Sequence, residues 1–320
     1  MRSLLLAASV LLTAVSLSAQ PPLAANGTPA AQAPAVALPP GAPSVELTDN
    51  FFKRILGYDP NIQVHIISIT ASRSPELFDV FTAIVTPEGQ QLVHWYVTHD
   101  LKFVVAGELR VFGTDPYRQE RELLAKKSFG PTRGPASAKV TVVEFADLEC
   151  PACRDAQPVM DRLYADFPNV RFIFQSYPLA QMHPWAFRAA SYLDCIARGS
   201  NDQAFNFIGS IYSHQREIES IIRRTGDDGK PYIDDNEVAG RLRHYTDNAG
   251  ADMTRTTACA AGTDTEVRVQ RSIGLAQELN ITSTPTLYVN GRSVGNPSSL
   301  PYETLKAIIS FEVDQAGAEK

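Results

Sequence analysis

The segment from Val140 to Cys153 reads VTVVEFADLECPAC, and it decides how the rest of the chain is interpreted. Its first half is a continuous apolar run, which is typical of a strand buried on both faces. Its second half ends in the C-x-x-C pair Cys150 and Cys153. Apolar side chains then recur at helical spacing over 156–167, so the pair lies where a buried strand turns into a helix.

This position favours a reactive thiol. The first turn of a helix has unpaired backbone N–H groups and the positive end of the macrodipole, and both stabilise a thiolate. Cys153 follows one turn later, close enough to attack a mixed disulfide formed on Cys150. We therefore predict that Cys150 is the attacking thiolate and Cys153 the resolving thiol. Half of a structural zinc site, which would need further ligands, and a merely structural disulfide remain as alternatives.

Glu144 interrupts the apolar strand six residues before Cys150. A buried carboxylate is costly, and burial should raise its pKa. Glu144 could then accept or return the proton of Cys153. The alternative is a carboxylate that faces solvent at the end of the strand.

Thr284 and Pro285 directly precede a second short apolar run at 286–289. Because X–Pro bonds adopt the cis form at modest cost, a cis peptide is plausible here. It would leave the backbone groups of Thr284 free to pair with a cysteine-containing segment. An ordinary trans proline at the start of a strand is the alternative.

The remaining pattern predicts an α/β domain over 128–320. A strand is expected at 170–177, a mainly helical insertion at about 185–279, and a final helix near 302–313. The Gly- and Pro-rich stretch at 128–138 is interpreted as a linker before this domain.

Taken together, several motifs resemble the DsbA-like branch of the thioredoxin superfamily over about 138–315. They are Glu144-Phe145, Cys150-Pro151-Ala152-Cys153, the mid-helix Pro158 and Thr284-Pro285. The resemblance implies a thioredoxin-like fold with a helical insertion. It also implies that Cys150 is the nucleophile, that Cys153 resolves, that Glu144 assists proton transfer and that Pro285 is cis.

Proteins of this kind exchange disulfides with cysteine-containing protein substrates. The resemblance therefore implies such substrates, a membrane redox partner, and no cofactor or metal beyond the thiols. Ala152 departs from the DsbA oxidases, which often have a histidine there to stabilise the thiolate. The direction of exchange (oxidase, isomerase or reductase) depends on the reduction potential and the partner, which the sequence does not state.

Cys195 and Cys259 are the other two cysteines, 64 residues apart in the helical stretch. Four cysteines allow three pairings. Some DsbA-like proteins carry a second disulfide in this region, so the resemblance implies a structural Cys195–Cys259 bridge. Two buried free thiols, or a second redox-active pair, are the alternatives.

The N terminus predicts export. Arg2 precedes an apolar stretch from Leu4 to Val15 that is too short to span a bilayer, and small residues follow it. We expect a signal peptide at 1–19, a Pro- and Ala-rich linker at 20–43, and a periplasmic or secreted protein. An uncleaved anchor is the alternative.

Residues 44–127 contain no cysteine. A helix around Phe51 and Phe52 followed by a strand meander predicts a small α+β domain. It weakly resembles the N-terminal region of DsbC-like isomerases, which implies a homodimer through this domain. Its histidines are too scattered to indicate a metal site.

Composition limits the remaining classes. The chain has 320 residues, 44% hydrophobic and 20% charged, which fits about two globular domains. A net charge of −6 without a long basic run argues against binding of nucleic acid or anionic membranes. A non-enzymatic exported peptide- or metal-binding protein, built on the same scaffold with a stable disulfide, remains the alternative function.

Overall fold

The structure is a computed structural model that describes residues 38–87, 89–107, 109, 112–113, 115–226 and 230–318. The predicted signal peptide at 1–19 and most of the predicted linker lie outside these residues. The chain divides into two units, 1–109 and 110–320. Over the described ranges, no helix combines the length and the apolar character needed to cross a membrane.

In the described part of the first unit, one helix precedes an antiparallel meander of strands. Its elements are α1 (Val45–Leu56), β1 (Gln63–Ala71), β2 (Leu77–Thr86), β3 (Gly89–Thr98) and β4 (Val104–Ala106), with the strands paired in that order. The hydroxyl of Ser44 accepts a hydrogen bond from Leu47 N (3.1 Å) and so caps α1. Phe52 of α1 packs with Ile69 and Val80 in a small core. This is the α+β arrangement that the sequence predicts.

The second unit is an α/β domain with a helical insertion. Its elements are α2 (Arg118–Lys127), β5 (Thr132–Arg133), β6 (Thr141–Ala146), α3 (Pro151–Asp166), β7 (Arg171–Ser176), α4 (Ala186–Ala197), α5 (Asn201–Ile222), β8 (Arg223–Thr225), β9 (Pro231–Ile233), α6 (Asp235–Asn248), α7 (Met253–Ala260), α8 (Thr263–Glu278), β10 (Thr286–Val289), β11 (Arg292–Gly295) and α9 (Tyr302–Ala318). A 3-10 turn at Pro297–Ser299 precedes α9.

Strand β6 is the middle strand of a five-stranded sheet with the order β11-β10-β6-β7-β5. It pairs parallel to β7 and antiparallel to β10. Val142 belongs to a core with Leu163 of α3 and Leu305 of α9, whereas Val143 belongs to another with Leu275 of α8. Both faces of β6 are therefore covered, which explains its continuous apolar sequence.

Five helices, α4 to α8, form the insertion between β7 and β10, close to the predicted limits. A disulfide joins Cys195 of α4 to Cys259 of α7, with an S–S distance of 2.01 Å and a Cα–Cα distance of 5.9 Å. The hydroxyl of Thr265 donates a hydrogen bond to the carbonyl oxygen of Cys259 (2.9 Å). The bridge joins α4 to α7, and this hydrogen bond joins α7 to the first turn of α8.

The boundary between the units lies near residue 110 and not at 128, which corrects the predicted division. Helix α2 belongs to the second unit because Leu124 packs with Val143 and Ile173 of the large sheet. The predicted linker at 128–138 is also part of this domain, since it contains β5 at the edge of the sheet. A side chain at Gly130 would collide with the carbonyl oxygen of Phe174, so only glycine lets this segment pack directly against the backbone of β7.

Candidate active site

Cys150 and Cys153 lie at the start of α3, directly after the turn that follows β6. Cys150 precedes the first helical residue and has an extended backbone (φ −70°, ψ 121°), and Pro151 begins the helix. Proline suits that position because its missing N–H would have no helical partner. Cys150 is 7% exposed and Cys153 is fully buried, and both are free thiols.

The two thiols differ strongly in acidity. A hydrogen bond with the side chain of Cys153 is the largest cause that lowers the pKa of Cys150, to about 6. Thr284 and the backbone N–H groups of Cys153 and Ala152 lower this pKa further, while burial opposes them. Burial raises the pKa of Cys153 well above its ordinary value. At neutral pH the site therefore holds a thiolate at Cys150 beside a thiol at Cys153.

Glu144 is buried on β6, with 1% of its surface exposed. Neither carboxyl oxygen has a hydrogen-bond partner among the described residues. Burial, followed by the charge of Asp161, raises the pKa of Glu144 to about 8. The solvent-facing alternative is therefore wrong, and the group is a neutral acid that can titrate near neutral pH.

Thr284 and Pro285 meet the thiol pair across 134 residues of sequence. The peptide bond between them is cis. The Sγ of Cys150 lies 3.5 Å from the carbonyl oxygen of Thr284, and Thr284 is buried. The fold thus brings together Cys150, Cys153, Thr284 and Pro285, whereas Cys195 and Cys259 are bound to each other and cannot complete a zinc site.

The turn between β6 and Cys150 contains a buried carboxylate that the sequence reasoning missed. The Oδ1 atom of Asp147 accepts a hydrogen bond from Glu149 N (2.8 Å), and its Oδ2 atom accepts one from Leu179 N (2.8 Å). His183 Nδ1 lies 2.7 Å from the same Oδ2 atom. A charged residue between a buried strand and a C-x-x-C pair is the sequence signal that could have indicated Asp147.

His183 gains a raised pKa from this contact, chiefly through its hydrogen bond with Asp147. The thiolate of Cys150 contributes to the same rise, so the imidazolium and the thiolate stabilise each other. His183 is therefore the residue of this site that can carry the positive charge that Ala152 cannot.

A third buried acid, Glu149, directly precedes Cys150. Its Oε2 atom accepts a hydrogen bond from the backbone N–H of Trp185 (2.7 Å). Burial is the main cause that raises the pKa of Glu149 to about 8. No local pattern indicated this residue, because its hydrogen-bond partner Trp185 is 36 residues away in the sequence.

A protein-family model described as thioredoxin matches residues 126–310. The chain belongs to this thioredoxin family. The matched range includes the whole candidate site, and it confirms the thioredoxin-like fold expected from the sequence.

Among curated proteins, the Na+/H+ antiporter NhaA 1 of Salinispora arenicola is 30% identical over 178 residues, which are 56% of this chain and 24% of that protein. The chain thus spans about a quarter of the length of the antiporters that it matches. A probable disulfide bond formation protein D of Bacillus cereus is 24% identical over 184 residues, which are 56% of this chain and 77% of that protein. The latter confirms the resemblance to DsbA-like proteins.

Among solved structures, oxidised BdbD of Bacillus subtilis is 22% identical, with a TM-score of 0.46. The match covers 58% of this chain and 93% of that one.

Proposed function

We propose that this protein is a thiol–disulfide oxidoreductase that exchanges disulfides with cysteine-containing protein substrates through Cys150 and Cys153. The observation that carries the proposal is the difference between the lowered pKa of Cys150 and the raised pKa of Cys153 at the start of α3. The first thiol is ionised at neutral pH and the second is not, as nucleophilic attack and later release require. The name of the Bacillus cereus relative supports the same class of activity.

In the direction that reduces a substrate, the Cys150 thiolate attacks one sulfur of a substrate disulfide and the other sulfur leaves as a thiolate. Cys153 then loses its proton and attacks the Sγ of Cys150. This step forms the Cys150–Cys153 disulfide and releases the second substrate thiolate, so two electrons pass to the substrate. Oxidation of a substrate dithiol is the reverse sequence.

We propose that Glu144 handles the proton of Cys153 in both directions. Its pKa of about 8 lets it exchange a proton near neutral pH, and its ionised form contributes to the raised pKa of Cys153. We propose that the backbone of Thr284, next to Pro285, holds the substrate segment beside Cys150, since its carbonyl oxygen already lies within 3.5 Å of the sulfur.

The proposed setting is the periplasm or the exterior of the cell, reached through a signal peptide at 1–19, with a membrane redox partner that recycles the thiol pair. The sequence of the N terminus and the disulfide between Cys195 and Cys259 support this setting, because such bonds persist in oxidising compartments.

The test is alkylation of the reduced protein as a function of pH, combined with trapping. We expect a thiol that reacts with a midpoint near pH 6 in the wild type and not in Cys150→Ser. Cys153→Ser should accumulate a mixed disulfide with a cysteine-containing model peptide, because the resolving thiol is missing. If the alkylation midpoint of the wild type lies at about pH 8.5, the ordinary pKa of cysteine, the result would instead favour a non-enzymatic binding protein.

A further inference from the structure

Helix α5 of the insertion directs two polar side chains at the turn that carries Cys150. Tyr212 and Gln215 are spaced three residues apart, so they lie on one face of the helix. Their exposed fractions are 2% and 1%. Buried polar groups of this kind are costly unless they form hydrogen bonds, so their partners indicate their role.

Those partners are backbone carbonyl groups of the turn from Asp147 to Cys150. The hydroxyl of Tyr212 donates to the carbonyl oxygen of Asp147 (3.2 Å). The Nε2 atom of Gln215 donates to the carbonyl oxygens of Leu148 (2.9 Å) and Cys150 (3.2 Å). Three of the four carbonyl groups in the turn are thus held by one face of α5.

Arg154 fixes the orientation of the Gln215 amide. Its Nη1 atom donates to the Oε1 atom of Gln215 (3.2 Å). Because a guanidinium group only donates, the amide oxygen must face Arg154 and the NH2 group must face the turn. A glutamine in the opposite orientation would place its oxygen against two carbonyl oxygens.

We propose that Tyr212 and Gln215 are positioning residues for the Cys150 thiolate, which they hold in place through the backbone of the turn. The inference rests on the proposed exchange activity. Neither side chain contacts the Sγ atom in any hydrogen bond of the described residues. They act by keeping Cys150 extended just before α3, where the N–H groups of Ala152 and Cys153 face its sulfur.

The test compares three variants of the full chain by the pH profile of Cys150 alkylation and by equilibration with glutathione. Gln215→Met keeps the length of the side chain and removes its donors. We expect the alkylation midpoint to rise by about one pH unit, and the equilibrium at pH 7 to move about fivefold toward the Cys150–Cys153 disulfide. Tyr212→Phe should raise the alkylation midpoint by a smaller amount, and it should move the glutathione equilibrium about twofold in the same direction.

Ile218→Ala is the matched control, because Ile218 is equally buried on α5 but has no group that can bind a carbonyl. It should lower the melting temperature and leave both thiol measurements unchanged. Cys153, Glu144, Asp147, Glu149 and His183, which are titratable groups around Cys150, are the same in all variants. Tyr212 is titratable too, but burial raises its pKa well above the ordinary value, so Tyr212→Phe removes no charge over the range of the titration.

The proposal is overturned if Gln215→Met and Tyr212→Phe retain the wild-type profile, or if Ile218→Ala shifts it as much as they do. Should Gln215→Met not fold, Tyr212→Phe decides, since it removes one hydroxyl and keeps the ring. A wild-type protein without a thiol that titrates near pH 6 would mean that the proposed function itself fails, which is a separate result.

Discussion

The acidity of Cys150 has several sources, and two of the residues that act on it, Thr284 and His183, lie outside the C-x-x-C motif. Ala152 leaves the motif without a cation, yet Asp147 holds the imidazole of His183 in the same site. Asp147 is itself fixed by two backbone N–H groups, from Glu149 and Leu179. A histidine outside the motif is therefore placed where its protonated form supports the thiolate.

Substitution of His183 should raise the pKa of Cys150. In His183→Ala the positive charge is lost and the buried carboxylate of Asp147 is left beside the thiolate, so we expect a rise of about 0.5 to 1 unit. The measurement is the alkylation rate of Cys150 between pH 5 and 9. His244→Ala, at an exposed position on α6, is the control and should behave like the wild type. An unchanged alkylation profile in His183→Ala would show that His183 does not lower the pKa of Cys150.

Glu144 lowers the stability of the folded protein but supports the proposed activity. Its pKa is raised from 4.5 to about 8 in the folded protein, so folding is opposed wherever the unfolded chain would ionise the group. This cost is absent below about pH 4.5, grows as the pH rises toward 8 and is constant above it.

Glu144→Gln should therefore stabilise the oxidised protein, by up to a few kcal/mol, with a gain that increases between pH 4.5 and 8. Urea unfolding at several pH values measures this gain. The same variant should release mixed disulfides at least about tenfold more slowly, because Cys153 loses its proton acceptor. Glu303→Gln, at an exposed position, is the control. A gain that does not depend on pH would contradict a raised pKa at Glu144.

At the scale of elements, the features that could be predicted are those that depend on residues close together in the sequence. Strand β6, the start of α3 and the limits of the insertion follow from apolar periodicity and from the position of the C-x-x-C pair. The placement of α2 could not be predicted in this way, because it depends on the contact between Leu124 and the sheet. The hydrogen bonds from Gln215 to the turn could not be predicted from the sequence either, because they join residues 65 and 67 positions apart.

We predict that the disulfide of the insertion stabilises the protein without changing the acidity of Cys150. The Cys195–Cys259 bond closes a loop of 64 residues, and on the chain-entropy model it stabilises by about 4 kcal/mol. The double variant Cys195→Ala/Cys259→Ala should lose stability of that order in urea unfolding. Its alkylation profile at Cys150 should remain that of the wild type. A changed profile would show that the bridge also shapes the active site.

At the scale of the whole molecule, the first unit carries an apolar surface that its own core does not use. Leu47, Phe51 and Ile55 recur every four residues on α1 and are 50%, 36% and 39% exposed, whereas Phe52 is buried. Such a stripe on a small domain favours association. We propose that it is the contact of a homodimer, as the weak resemblance to DsbC-like isomerases implies.

Sedimentation of the full chain tests this proposal. We expect twice the monomer mass at micromolar concentration, and the monomer mass for the variant Leu47→Asp/Phe51→Asp, because two charges would be buried in the contact. Glu46→Lys, on the same helix outside the stripe, is the control and should remain a dimer. A monomeric wild type would contradict the dimer and weigh against an isomerase.

The most direct test of the account is the reduction potential of the Cys150–Cys153 couple, measured by equilibration of the full protein in glutathione buffers. A thiolate stabilised to a pKa of about 6 stabilises the reduced form, so we predict a potential between about −120 and −270 mV. Within that range, the upper end would favour an oxidase and the lower end an isomerase or a reductase. A potential below about −300 mV would identify a structural disulfide and contradict the proposed exchange activity.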